Sequence, residues 1–384
     1  MTCRHVSSPL RSLLIGSVAA CFLWMSAPFA PVPARVQDKP LASIDDDCTA
    51  MAFAPDGRLA YAVRHEIKTH QYVLERDDIW ILTVESKHRR LINSEKLGGL
   101  APFSYTVSGF RWSPSGHLLA AELSTTSVID QEGRTRDSIM TLLFDQDGKE
   151  IRVGTRDGIV EDASDAAWLS DDVTVVYLTE AVKPNLLFSI QSIRPVAGRG
   201  SSLFSGRTFV GAAWDTKRNL GYAVERDRSF EGPPRLQRLD LTRDTADELA
   251  TLDSFAGGLS LSPSGAKIAY YLDHEVLEIR DLAAPSHLAR TRIGFGAYAW
   301  SSDERRILIK RATERKTGDL VWFDVPPLAA PPSASSGAPP AVSEQVPVPF
   351  LHDLTFRDFD ISPNGRTIAV MRPGKQDILI YPLN

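Results

Sequence analysis

A serine nucleophile of the hydrolase kind needs a strained turn around it, and no Gly-x-Ser-x-Gly elbow occurs in this chain. A metal needs ligands at fixed spacings. His65-Glu66 and His70 place the two imidazoles five residues apart, which misses the four-residue spacing that puts two histidines on one helix face. Asp145-Gln146-Asp147-Gly148 opens like a calcium loop but lacks the later ligands, and reads as a hairpin turn. Asp45-Asp46-Asp47 is an acidic run that water solvates well. No phosphate-cradling glycine loop and no dinucleotide fingerprint are present. The motifs therefore assign no catalytic residue, no metal and no cofactor.

The elements that would have to position any site announce themselves by repetition. Phe110 to Leu123 reads as strand, turn, strand. Trp112 is an apolar anchor, Ser113-Pro114-Ser115-Gly116 carries turn chemistry, and a mostly apolar run follows. The phrase recurs with anchors Phe53, Trp112, Trp168, Trp214, Leu261, Trp300 and Ile361, spaced by 59, 56, 46, 47, 39 and 61 residues. The Pro and Gly of the turn are lost in repeats three, four and six. A third strand follows each copy: 78–84, 138–145, 185–192, 235–241, 276–282, 319–325 and 377–383. Weaker fourth strands follow the first six copies, Glu150 to Thr155 among them in repeat two.

Four strands in roughly 40–45 residues is the period of a propeller blade. The expectation is an all-β, seven-bladed β-propeller of four-stranded antiparallel blades. Repeat seven has no fourth strand after residue 383, so Leu41 to Ile44 is expected to supply it and close the ring. Ser-Pro-Ser-Gly, Pro-Asp-Gly and Ser-Pro-Asn-Gly after an apolar anchor resemble the TolB-type propeller repeat, across residues 41–384. Similar repeats form the propellers of prolyl-oligopeptidase-type enzymes, but the catalytic domain of those enzymes is not expected here. The Gly-His…Trp-Asp signature of WD repeats is absent. The resemblance implies docking of a partner protein at a channel mouth.

Residues 1–34 read as a signal peptide: Arg4 and Arg11, then an apolar run from Leu13 to Ala27, then small residues at Val32-Pro33-Ala34. The reading is an exported protein, periplasmic or secreted, with no transmembrane segment after cleavage; a lipid anchor at Cys21 is the alternative. Residues 35–384 are then one domain. Cys48 alone remains in it and reads as a buried structural residue. A net charge of −5 argues against nucleic acid as the main partner. Three insertions break the period: 64–76, 123–137 and a Pro/Ala/Ser-rich loop at 326–345 within blade six. The first two are read as lengthened connections.

If the first strand of each blade lines the channel, the connections entering those strands form one mouth. They carry Asp47, Tyr105 and Ser108, Asp165, Phe209, Phe255, Phe295, and Arg357 with Asp358. Aromatic residues among a few charges suit recognition of a protein or peptide. Tyr105, Asp165, Phe209, Phe295 and Arg357 are the candidate binding residues. The function read from this is a protein-binding or scaffolding module of the cell envelope. The alternative is a propeller enzyme, a hydrolase or lyase, with Asp47, Asp165, Asp358, His117 and Glu122 converging in the channel.

Overall fold

The computed structural model describes residues 39–68, 73–83, 87–94, 103–128, 135–153, 159–182, 187–293, 296–312, 318–328, 345–347, 358–372 and 376–383. The signal-peptide reading, the cleavage site and Cys21 lie outside them, as do Phe295, Arg357 and most of the Pro-rich loop. Among the described residues the chain is built of strands, with one short 3-10 turn at Pro195–Ala197. Among the described residues no helix is long and apolar enough to cross a membrane.

Each repeat forms an antiparallel meander. Repeat one pairs Cys48–Phe53, Leu59–Lys68, Val73–Leu82 and His88–Ile92 in order. Repeat two pairs Phe103–Trp112, Leu118–Val128, Thr135–Asp145 and Ile159–Glu161. Repeat three uses Ser164–Trp168, Val175–Val182, Leu187–Arg194 and Arg199–Leu203. Repeat four uses Phe209–Asp215, Leu220–Glu225, Arg235–Asp240 and Thr245–Thr251. Repeats five and six follow the same order over Ala256–Arg292 and Tyr298–Pro347. In repeat seven, Asp358–Ile361, Thr367–Met371 and Ile378–Pro382 are completed by Ala42–Ile44, whose Ala42 sits opposite Ile380.

The turn chemistry explains why the phrase recurs. In repeat two the Gly116 N–H donates to Ser113 O at 2.9 Å, and the buried Ser113 Oγ accepts from Leu118 N at 3.2 Å. Ser262, Ser301 and Ser362 repeat that hydroxyl contact in repeats five, six and seven. The serine thus satisfies a backbone group that the tight turn would leave unpaired. Where the glycine is missing, Asp172, Asn219 and Glu304 take positive φ of 50°, 56° and 58°. The left-handed corner survives the loss of the residue that adopts it most cheaply.

Two expectations are corrected. The described parts of insertions 64–76 and 123–137 are strand. They prolong the second and third strands to ten or eleven residues each, with Lys68 paired to Val73 and Val128 to Thr135. Pairing satisfies the backbone of the added residues. The outer strand of repeat two is also displaced. Glu150 and Ile151 touch the third strand only at Phe144 and Leu143, and the ladder resumes at Ile159–Glu161.

The core lies between neighbouring repeats. Trp168, Leu143 and Val175 pack repeat two on three. Phe209, Leu178 and Leu239 join three and four, and Tyr270, Val224 and Leu236 join four and five. The last repeat packs on the first: Ile44, Ile378 and Ile380 meet Cys48, Leu59 and Tyr61. These faces alternate apolar and small residues, the pattern of strands covered on both sides.

Candidate functional site

A cavity of about 420 Å³ lies where the first strands of repeats seven, one, two and three meet. Its walls follow from strand periodicity. Residues one and three positions before each anchor share a face of the first strand. At the near position stand Ala52, Arg111, Ala167, Ala213, Ser260, Ala299 and Asp360. At the far position stand Ala50, Gly109, Asp165, Gly211, Gly258, Ala297 and Asp358. That face is small everywhere except at four charged residues, and Arg111, Asp165, Asp358 and Asp360 all line the cavity. Glu122 joins them from the second strand of repeat two.

The charges are held mainly by neutral donors. Glu122 Oε1 accepts from Ser108 Oγ at 2.8 Å, and Glu122 Oε2 accepts from the Asp165 backbone N–H at 2.8 Å. Asp360 bridges the two ends of the chain, its Oδ2 accepting from Phe53 N at 2.7 Å and its Oδ1 from Ile361 N at 2.9 Å. Arg111 Nη2 stands 3.6 Å from Asp165 Oδ1. Burial pushes the Asp360 carboxyl up to about 6; its two N–H donors oppose that rise and neighbouring Asp358 adds to it. Burial likewise raises Asp165, with Arg111 opposing and Glu122 adding. Asp165 also takes a φ of +49°.

Anchors stitch this inner layer together. Trp214 Nε1 donates to Asp165 O at 2.8 Å, and Trp112 Nε1 to Ala52 O at 3.3 Å, each reaching the preceding repeat. Tyr298 Oη donates to Ala269 O at 2.8 Å in the same sense. Trp112 and Trp214 therefore fasten repeats to one another as well as fill volume, whereas Trp168 and Trp300 bury their indole N–H without a hydrogen-bond partner.

Of the five candidate binding residues, Asp165 lines the cavity. Tyr105 is buried, its Oη donating to Asp77 O at 3.1 Å. Phe209 is 0% exposed and packs edge-on against Phe204. Both rings fill the seams between repeats and present no face to a ligand, because a strand entering a two-sided core buries its apolar residues from the first position. Phe295 and Arg357 lie outside the described residues. Phe255 is 39% exposed, beside His274.

Of the five residues posed for an enzymatic channel, Glu122, Asp165 and Asp358 line the cavity. Asp47 is exposed elsewhere, and His117 sits at the turn with its Nδ1 3.2 Å from Gln146 Oε1. Among the described residues no group of His, Cys, Asp and Glu could hold a metal ion. Arg111 and Asp360 were missed from the sequence. The signal that finds them is charge at a register otherwise filled by Ala and Ser.

No protein-family model matches the chain, and no curated protein matches it. Among solved structures the chain is similar to the β-propeller domain of Myceliophteria thermophila Cps50 (Swd1), with a TM-score of 0.58 at 12% sequence identity, covering 90% of this chain and 99% of that chain. With its antiparallel four-stranded meanders, this chain has a β-propeller fold.

Proposed function

We propose that the protein is an exported, TolB-like, seven-bladed propeller that binds a partner protein or peptide in the cell envelope, with Ala42–Ile44 closing the ring. The observation that carries the binding reading is the cavity at the meeting of four first strands, charged at Arg111, Asp165, Asp358 and Asp360 on an otherwise small-residue face. A rigid scaffold that concentrates fixed charges in a concave site is built for recognition.

The test is affinity capture from native envelope extract, read by mass spectrometry, with wild type and an Asp165→Asn/Asp358→Asn variant. A partner retained by wild type and lost by the variant supports the reading. Equal capture by both, or none by either, sinks it. One observation favours the enzyme alternative: the Glu122 and Asp165 carboxyl groups, from neighbouring repeats, stand at one cavity wall, and the charge of Glu122 adds to the rise of the Asp165 carboxyl. Turnover of a panel of ester and glycoside substrates, abolished by Glu122→Gln, would establish it.

A further inference from the structure

The strands that wall the cavity also line a second space. A second groove, of about 500 Å³, is lined by Ser124, Ser138 and Ser164 on the strands that also carry Glu122, Thr141 and Asp165 into the cavity. Glu122 and Ser124 lie two apart on one strand and so share a face, as do Thr141, Ile139 and Asp137 on the next. One wall of the groove is the lengthened second and third strands of repeat two, which run to Val128 and back from Thr135; the other carries Asp162, Ser164, Glu180 and Phe188.

The charges of the two spaces are predominantly negative. Asp137, Asp162 and Glu180 line the groove, with no Lys or Arg among its lining residues. Glu122, Asp165, Asp358 and Asp360 line the cavity, against the single guanidinium of Arg111. The whole chain carries 48 acidic and 43 basic residues, so this track is far more acidic than the composition requires. It also has an apolar footing: Ile139 is 42% exposed, beside half-buried Phe188.

We propose that the track receives an extended partner segment bearing Lys or Arg side chains separated by an apolar one. This rests on the binding reading above and names its ligand class. One cation enters the cavity towards Asp358 and Asp360. Another meets Asp137, Asp162 and Glu180, and the apolar side chain between them covers Ile139 and Phe188. Low-dielectric walls and fixed carboxylates favour a cation over a neutral group, and charge complementarity sets register.

The experiment titrates the full chain, by calorimetry, with the blocked hexapeptide acetyl-Arg-Leu-Lys-Leu-Arg-Ser-amide and with its analogue carrying Gln at every basic position. The basic peptide should bind with an affinity that falls as salt rises. The variant Asp137→Asn/Asp162→Asn/Glu180→Gln should weaken it by about tenfold or more, and Ile139→Ser should weaken it while preserving the salt dependence. These side chains are at the surface, and thermal melting of each variant verifies its fold. Equal binding to wild type and the triple variant overturns the proposal. Tighter binding of the Gln analogue, lost in Asp358→Asn, overturns the charge inference but leaves the cavity a binding site. Binding of neither peptide overturns the proposal, and the capture experiment then decides the broader reading alone.

Discussion

Glu278 shows at the scale of single residues how this fold tolerates buried charge. Its carboxylate is fully buried, accepts from Arg290 Nε at 2.6 Å, and also meets Arg280 and the Tyr270 hydroxyl. Glu278→Gln leaves Arg280 buried without a counter-charge, and should cost roughly 3–5 kcal/mol in denaturant unfolding. Trp214→Phe keeps an aromatic ring, but it removes the indole N–H that bonds Asp165 O and part of the packed volume; the expected loss is about 1 kcal/mol or more. Asp360 predicts a pH dependence. Its carboxyl is raised to about 6, so the folded chain holds the proton at pH values where the unfolded chain has released it. The stabilising contribution is present below the unfolded carboxylate range and is lost as pH rises through about 6. Relative to wild type, Asp360→Asn should therefore melt higher at about pH 7.5 than it does at about pH 4.5. A pH-independent difference would remove Asp360 as the cause.

At the scale of elements, the strand Ala42–Ile44 joins residues far apart in sequence to the last meander. It covers Ile378–Pro382 by backbone pairing and buries Ile44 against Cys48, Met51 and Ile380. Ile44→Ala should cost roughly 2–5 kcal/mol, the range for deleting a buried Ile side chain. Deleting residues 1–45 should lower the melting temperature further, because it also exposes the edge of Ile378–Pro382. Unchanged melting in both variants would show that the strand contributes nothing to the fold. The lengthened hairpins of repeats one and two are the other elements of consequence, since the second of them builds the acidic groove.

At the scale of the whole molecule, the seams between repeats bury Cys48 at the junction of the last repeat with the first. Burial pushes its thiol well above the ordinary cysteine range, with the carboxylates of Asp46 and Asp47 adding to the effect. Native protein should leave Cys48 unalkylated by iodoacetamide, and denaturant should expose it; peptide mapping reads both. Rapid native alkylation would mean that this seam opens.

The repeat was legible in the sequence because a strand meander rewrites the same local problem each time. An apolar anchor, a turn that bonds its own backbone and a positive-φ corner leave marks at fixed offsets, so the anchors at Trp112, Trp168, Trp214 and Trp300 could be aligned without coordinates. Even the pairing of Leu41 to Ile44 with the last repeat could be reasoned from a missing strand. The site was less legible. Tyr105 and Phe209 share their types with residues that recognise ligands, yet their side chains turn into the seams, and only packing decides which way an aromatic faces. Arg111 and Asp360 belong to no motif, and become wall residues because first strands from repeats at opposite ends of the chain meet around one cavity. Local spacing determines strands and turns, because the forces there act over a few residues. Which side chains share a cavity depends on contacts between residues hundreds of positions apart, such as Phe53 N with Asp360 Oδ2, and those exist only once the repeats have packed.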